Sequence, residues 1–155
     1  MIKCVRIDHR LIHGQVAFSW TKFLDADCIF LISDQLMKNE IRMAAMKIAK
    51  PSGVKLVMKN IEDAIKLINN GSTDKYKLFI ILESIEDAYR LTKNVPSIKK
   101  INIGGTQSKD DRYQISKAVF ISKEDEQKLK EMIKMGIEIE IRLVPTDIEK
   151  KVHFM

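Results

Sequence analysis

Apolar residues in this chain come in short bursts separated by amphipathic stretches. Cys28-Ile29-Phe30-Leu31-Ile32 and Leu78-Phe79-Ile80-Ile81-Leu82 are unbroken apolar runs, the pattern of strands covered on both faces. Ile2–Ile7, Val54–Met58 and Lys100–Ile103 predict three more strands, and Ala118–Ile121 a shorter one. Ile137–Leu143 alternates apolar and polar, which predicts a strand covered on one side only. Between these runs the apolar period lengthens to that of a helix. Residues 14–24 place Val16, Ala17, Trp20, Phe23 and Leu24 on one face; residues 36–49 turn Ile41, Ala44, Ala45 and Ile48 inward. Residues 61–69, 84–93 and 122–135 complete the set, with Asn60, Ser84 and Ser122 as N-caps and Gly71 and Gly136 as stops. Lys109–Tyr113 reads as a charged loop, and the tail from Thr146 is expected to leave the fold.

Strand and helix alternate from end to end without repeats or a linker. That specifies an α/β fold, a single domain over residues 1–155 with a mainly parallel central sheet and helices on both faces. Right-handed crossovers then bring the turns after the first, second and fifth strands to one edge. Those turns are Asp8–Gly14, Asp34–Leu36 and Gly104–Gln107. Ligands of open α/β sheets bind at that edge.

Composition narrows the class. Apolar residues make up 45% and charged residues 31% of 155 residues, the balance of a globular protein. No apolar run approaches the roughly 18 residues needed to span a bilayer. The first residues enter a strand directly, without the pattern of a signal peptide, so a cytoplasmic location is expected. Cys4 and Cys28 sit among aliphatic neighbours and read as buried thiols. The net charge of +6 points to an acidic partner. Nucleic acid is not expected, because no helix-turn-helix, zinc-finger or aromatic recognition pattern is present.

The chemistry gathers between Arg6 and Val16. Two of the chain's three histidines, two arginines, an aspartate and a glycine lie within nine positions, on the turn from the first strand into the first helix. His13 stands at the start of that helix with Arg10 three residues before it, and both favour the neutral, nucleophilic imidazole. Gly14 removes bulk beside it, and the amides of Gly14, Gln15 and the rest of the first turn form an anion site. Arg6 and Arg10 offer charge-assisted contacts to phosphoryl oxygens. Asp8, or Asp34 from the neighbouring turn, is placed to fix one imidazole nitrogen. Gly104 and Gly105 permit close backbone approach and would form the opposite wall. Phosphoryl transfer, which asks mainly for position and charge neutralisation, fits this set without a metal or cofactor. His9 and His13 have a spacing that suits zinc on a helix, but this turn is not predicted helical.

The stretch Arg6-Ile7-Asp8-His9-Arg10-Leu11-Ile12-His13-Gly14-Gln15-Val16 resembles the signature Arg-x-Asp-x-Arg-Leu-Ile-His-Gly-Gln-Val of the B component (EIIB) of the mannose/fructose/sorbose-type sugar phosphotransferase system. Every fixed position is met; the second variable one, often acidic, is His9. Ser33-Asp34, Ile101–Gly105 and Ile115–Val119 also look like later segments of that family. The resemblance implies a phosphorelay carrier. His13 would accept a phosphoryl group from a phosphohistidine of the EIIA component, and Arg10 would steady it. The group would pass to a sugar imported by the membrane components EIIC and EIID, with which the chain would associate peripherally. Two other classes remain open: a phosphatase using His13 as a transient acceptor, with His9 as its second acid or base, and an anion-binding regulatory module that does no chemistry.

Overall fold

The computed structural model describes residues 1–154; Met155 lies outside the described residues. Its main sheet has seven strands: β1 (Ile2–Asp8), β2 (Cys28–Ile32), β3 (Lys55–Lys59), β4 (Leu78–Leu82), β5 (Lys100–Gly105), β8 (Glu138–Ile141) and β9 (Lys150–Lys151), in the order β3-β2-β4-β1-β5-β8-β9. All pairings are parallel except that of β9 with β8. A separate antiparallel hairpin joins β6 (Tyr113–Ser116) to β7 (Val119–Ile121). Tyr113, expected in a loop, thus opens a strand.

Among the described residues five α-helices cover the sheet: α1 (Gly14–Leu24), α2 (Glu40–Ala49), α3 (Ile61–Asn69), α4 (Ile85–Asn94) and α5 (Lys123–Lys134). In β2 and β4 every side chain is buried, and successive residues serve opposite faces. Phe30, Ile32, Ile80 and Leu82 join Ile61 and Ala64 of α3, Leu91 of α4 and Leu129 of α5 in one core. Ile29, Leu31, Phe79 and Ile81 join Trp20 of α1 and Met46 of α2 in the other. Each such side chain contributes roughly 1.5–3 kcal/mol of apolar burial. Ser122 and Asp125 exchange both bonds of a capping box at α5; at α4, Ser84 accepts from the Asp87 amide.

The second helix is rotated from its expected orientation. Leu36–Lys38 is a separate 3₁₀ turn, and Asn39 caps α2 by accepting from the Arg42 amide. The helix buries Met46 and packs Met43 and Ala49 on the core, leaving Ile41 85% and Ile48 86% exposed and both Ala44 and Ala45 at the surface. The sequence offers two apolar stripes, and long, flexible methionines fill irregular space better than isoleucines do. Arg42 then fixes the rotation, bonding Glu83 at 2.7 Å and the His9 carbonyl at 3.0 Å. Phe23, also expected inside, is 59% exposed and lies edge-on to Trp20.

Two expectations at the chain's end are corrected. The tail does not leave the fold: β9 pairs with β8, and Val152 and Phe154 pack against the larger core. Lys151 bonds Glu138 at 2.8 Å, so acidic β8 draws a basic edge strand. The polar side of β8 is not wet throughout, because Glu140 is 2% exposed. Its Oε1 accepts from Asn102 at 3.1 Å and Arg142 at 3.3 Å, with Lys100 3.8 Å away. A buried polar layer replaces water there.

Candidate functional site

The turn from β1 into α1 is built from the inside out. The Leu11 amide donates to the Asp8 carbonyl at 2.9 Å, and Leu11 takes a left-handed φ of 60°. That conformation costs about 1–2 kcal/mol for an L residue. It persists because Leu11 and Ile12 plug the α1-side core, 2% and 3% exposed. With both plugs inward, their polar neighbours Arg10 and His13 are left facing solvent. Gly14 follows at φ 44°, with open space where a Cβ would stand. Backbone conformation alone therefore selects glycine at that position.

His13 is the N-cap of α1, extended at φ −135° and ψ 96°, exposed and without a side-chain hydrogen bond to the helix. No acidic residue occupies the first turn. Its amides, including those of Gly14 and Gln15, lack intrahelical acceptors and carry the positive end of the dipole. An anion at the imidazole would meet them directly.

Arg10 is held from behind. Asp8, 1% exposed, accepts from the Arg10 amide, from Nε and from Nη2, each at 3.1 Å. This forked pair fixes the guanidinium plane while leaving Arg10 33% exposed. Behind Asp8 lies Arg6, 2% exposed. Its Nη1 donates to Asn102 Oδ1 at 2.5 Å and the Arg142 carbonyl at 2.9 Å; Nη2 donates to the Leu143 carbonyl at 2.9 Å and Asp8 at 3.5 Å. Burial pulls the Arg6 pKa below its ordinary value, and the Asp8 carboxylate opposes that shift. A Cβ on Gly104 would fall 2.0 Å from Arg6 Nη2, so Gly104 is the slot that admits this side chain.

Several expected roles change on this geometry. Arg6 spends its Nη donors inside the protein and is not a surface phosphate ligand. Asp8 orients Arg10 rather than His13. Asp34 accepts from the Ile61 amide and from Arg90, both at 3.0 Å, and these two bonds, the amide first, hold its carboxyl below the usual range. It takes up the first amide of α3, whose N-cap is Asn60, and does not fix the imidazole. Gly105 accepts from the His9 amide at 3.1 Å, so the glycine pair is a strand exit that holds Arg6 and His9. His13, Arg10, Gly14 and Gln15 remain together in one exposed turn, with Asp8, Arg6 and Gly104 as the scaffold behind it.

His9 points elsewhere. With Asp34, Glu83, Asp87, Arg90 and Arg112 it lines a polar cleft of about 530 Å³, and its Nδ1 is buried without a partner. Burial, then the charges of Glu83 and Asp34, raises the Asp87 pKa to about 6 against the Ser84 hydrogen bond. Its folded pKa therefore lies above the unfolded one near 3.8. The resulting penalty is absent below pH 4, builds between pH 4 and 6, and is complete above. An Asp87→Asn variant should be more stable than the parent by about 1–2 kcal/mol at neutral pH and equal to it near pH 3.5. Urea titrations at the two pH values check this; an equal difference at both would refute it.

Sequence reasoning missed the brace around the turn. Arg42 reaches the His9 carbonyl and Glu83, whose other oxygen accepts from Ser33. Nothing in the local sequence around Arg42 marks this contact. Asn102 did carry a signal, as a polar residue inside an apolar strand. The thiols stay inert: burial pushes Cys4 up to about 12 and Cys28 up to about 11. Among the described residues no helix is long and apolar enough to cross a membrane.

Solved structures with the same architecture include IIB domains and components of sugar phosphotransferase systems. The IIB domain of the sorbose permease from Klebsiella pneumoniae superposes with a TM-score of 0.92 at 30% identity, covering 96% of this chain and 91% of that one. The N-acetylgalactosamine-specific IIB component 1 from Escherichia coli gives 0.92 at 26% identity, covering 99% and 100%. In sequence, the sorbose-specific EIIB component of Lacticaseibacillus casei is 35% identical over 147 residues, 95% of this chain and 90% of that protein. The model of the family "PTS system sorbose subfamily IIB component" matches residues 2–155, and the chain belongs to that family. It is a component of a sugar phosphotransferase system.

Proposed function

We propose that His13 is the residue that carries the phosphoryl group. It takes the group from a phosphohistidine of an EIIA component and gives it to a sugar being imported by the membrane components EIIC and EIID. The supporting observation is the position of His13: an exposed N-cap at the carboxyl edge of the sheet, without a side-chain hydrogen bond to its helix, three residues after an arginine locked by Asp8. The imidazole lone pair attacks phosphorus as the donor's N–P bond breaks. The donor histidine keeps the bonding pair, and Arg10 and the first-turn amides offset charge on the equatorial oxygens. In the second transfer a sugar hydroxyl oxygen attacks phosphorus as the N–P bond to His13 breaks; His13 keeps the bonding pair and takes up the hydroxyl proton, which restores its neutral imidazole. Hydrolysis would need an acid or base set against His13, and the nearest aspartate in sequence, Asp8, is committed to Arg10 and Arg6.

Incubation with a phosphorylated EIIA component tests the assignment. One acid-labile, base-stable phosphate per chain is expected, on the peptide containing His13. Label on any other residue, or release of free phosphate without the membrane components, would overturn it. Arg10→Ala should slow uptake of the label about 10²-fold, equivalent to about 2.7 kcal/mol. Its cost in folding stability should be about 1 kcal/mol, because Asp8 keeps Arg6. Equal losses in the two measurements would make Arg10 merely structural.

A further inference from the structure

Among the described residues, α2 is the helix that turns a continuous apolar stripe to water. Ile41 and Ile48 are 85% and 86% exposed, with Ala44 and Ala45 exposed between them. The exposed faces of α3, α4 and α5 are polar by contrast. Exposed contiguous apolar surface of this kind marks an interaction site. We propose that this face of α2 is where two copies of the chain associate, helix against helix, in an antiparallel two-fold pair. This proposal is independent of the phosphoryl role of His13.

The argument for a second copy is self-complementarity, which an isologous interface requires. Isoleucine, two positions, alanine, alanine, two positions, isoleucine: the stripe reads the same in both directions. Antiparallel pairing about the midpoint between Ala44 and Ala45 sets Ile41 of each copy beside Ile48 of the other. The alanines fall at the crossing, where small side chains let helix axes approach to about 8 Å. Charge agrees with the same orientation. Glu40 opens the helix, and Lys47 and Lys50 close it. Among the described residues none of the three forms an ion pair within the chain. An antiparallel pair brings each acidic end against the other's basic end and opposes the two helix dipoles. A parallel pair would set like charges together. The flank of α2 carries Arg42, which braces the His9 carbonyl, so the proposed interface and the brace of the β1–α1 turn share one helix.

A single helix pair buries less than the roughly 800 Å² per partner of a standard interface, so the association is weak and fast. Sedimentation velocity from about 10 μM to about 1 mM should show the average mass climbing toward two chains. Ile41→Glu and Ile48→Glu should each hold the protein at one chain throughout, with unchanged circular dichroism and melting, since both side chains are exposed. Glu40→Lys should shift the midpoint to about tenfold higher concentration, and adding Lys47→Glu and Lys50→Glu to it should restore association. A single-chain mass at every concentration would overturn the proposal. So would association that survives both glutamate variants, or a charge reversal that fails to restore it. Ile41→Glu that leaves mass untouched but impairs transfer from the phosphodonor would assign the stripe to that donor instead.

Discussion

A His13→Ala variant is expected to take up no label from a phosphorylated EIIA component, a loss of at least about 10³-fold in transfer. Its unfolding free energy should stay within about 0.5 kcal/mol of the parent. Both halves follow from the same geometry. His13 is exposed and makes no side-chain bond to the helix it caps, so its removal costs the fold little. Its neighbours offer no ready substitute: Arg10 lacks a lone pair, His9 lines the separate polar cleft with its Nδ1 buried, and Cys4 in β1, pushed up to about 12, stays a thiol at neutral pH. Cys4→Ala should therefore be labelled like the parent. Retained label in His13→Ala would move the acceptor elsewhere, His9 being the first place to look.

The largest stability effect is expected at a residue with no side chain. Gly104→Ala would set its methyl group 2.0 Å from Arg6 Nη2 and 2.2 Å from Cζ. Arg6 is 2% exposed and tied to Asn102, Asp8 and the carbonyls of Arg142 and Leu143, so the guanidinium has nowhere to retreat. Displacing it takes the buried guanidinium off its partners and leaves Asp8 to Arg10 alone, and breaking a buried charge network of this kind costs about 3–5 kcal/mol. The Arg10 clasp should loosen as well, so urea stability and label uptake should fall together. Adding Arg6→Met should cost clearly less than the sum of the two single changes, since both break the same network. A Gly104→Ala protein within about 1 kcal/mol of the parent would mean that Arg6 can slide aside.

The layered fold was legible because hydrophobic period depends on which face of an element is dry, and in β2 and β4 both faces are. The convergence of edge turns followed from the parallel run of the strands, which the strand–helix alternation implies. What period does not encode is which of two apolar stripes a helix turns inward. On α2 that choice rests on Arg42 and its partners Glu83 and His9, 41 and 33 residues away in sequence. Polar residues were harder to place for a similar reason. Arg6, Asp8 and Asp34 have the chemistry of phosphate or imidazole ligands, and only burial and partner geometry assign them to scaffolding. The return of the tail as β9 depended on an open edge at β8, which is invisible from the tail's own residues.

The left-handed Leu11 bears on the carrier role proposed for His13. Since Leu11 and Ile12 are seated by the core, the turn around His13 is set by folding itself. Phosphorylation has little left to arrange, and the reorganisation energy of each transfer should be small. If His13 carries the phosphoryl group as proposed, such a turn would act as a template rather than a hinge, offering donor and acceptor the same face. The direction of flow would then come from the partners' own phosphorylation potentials rather than from the turn.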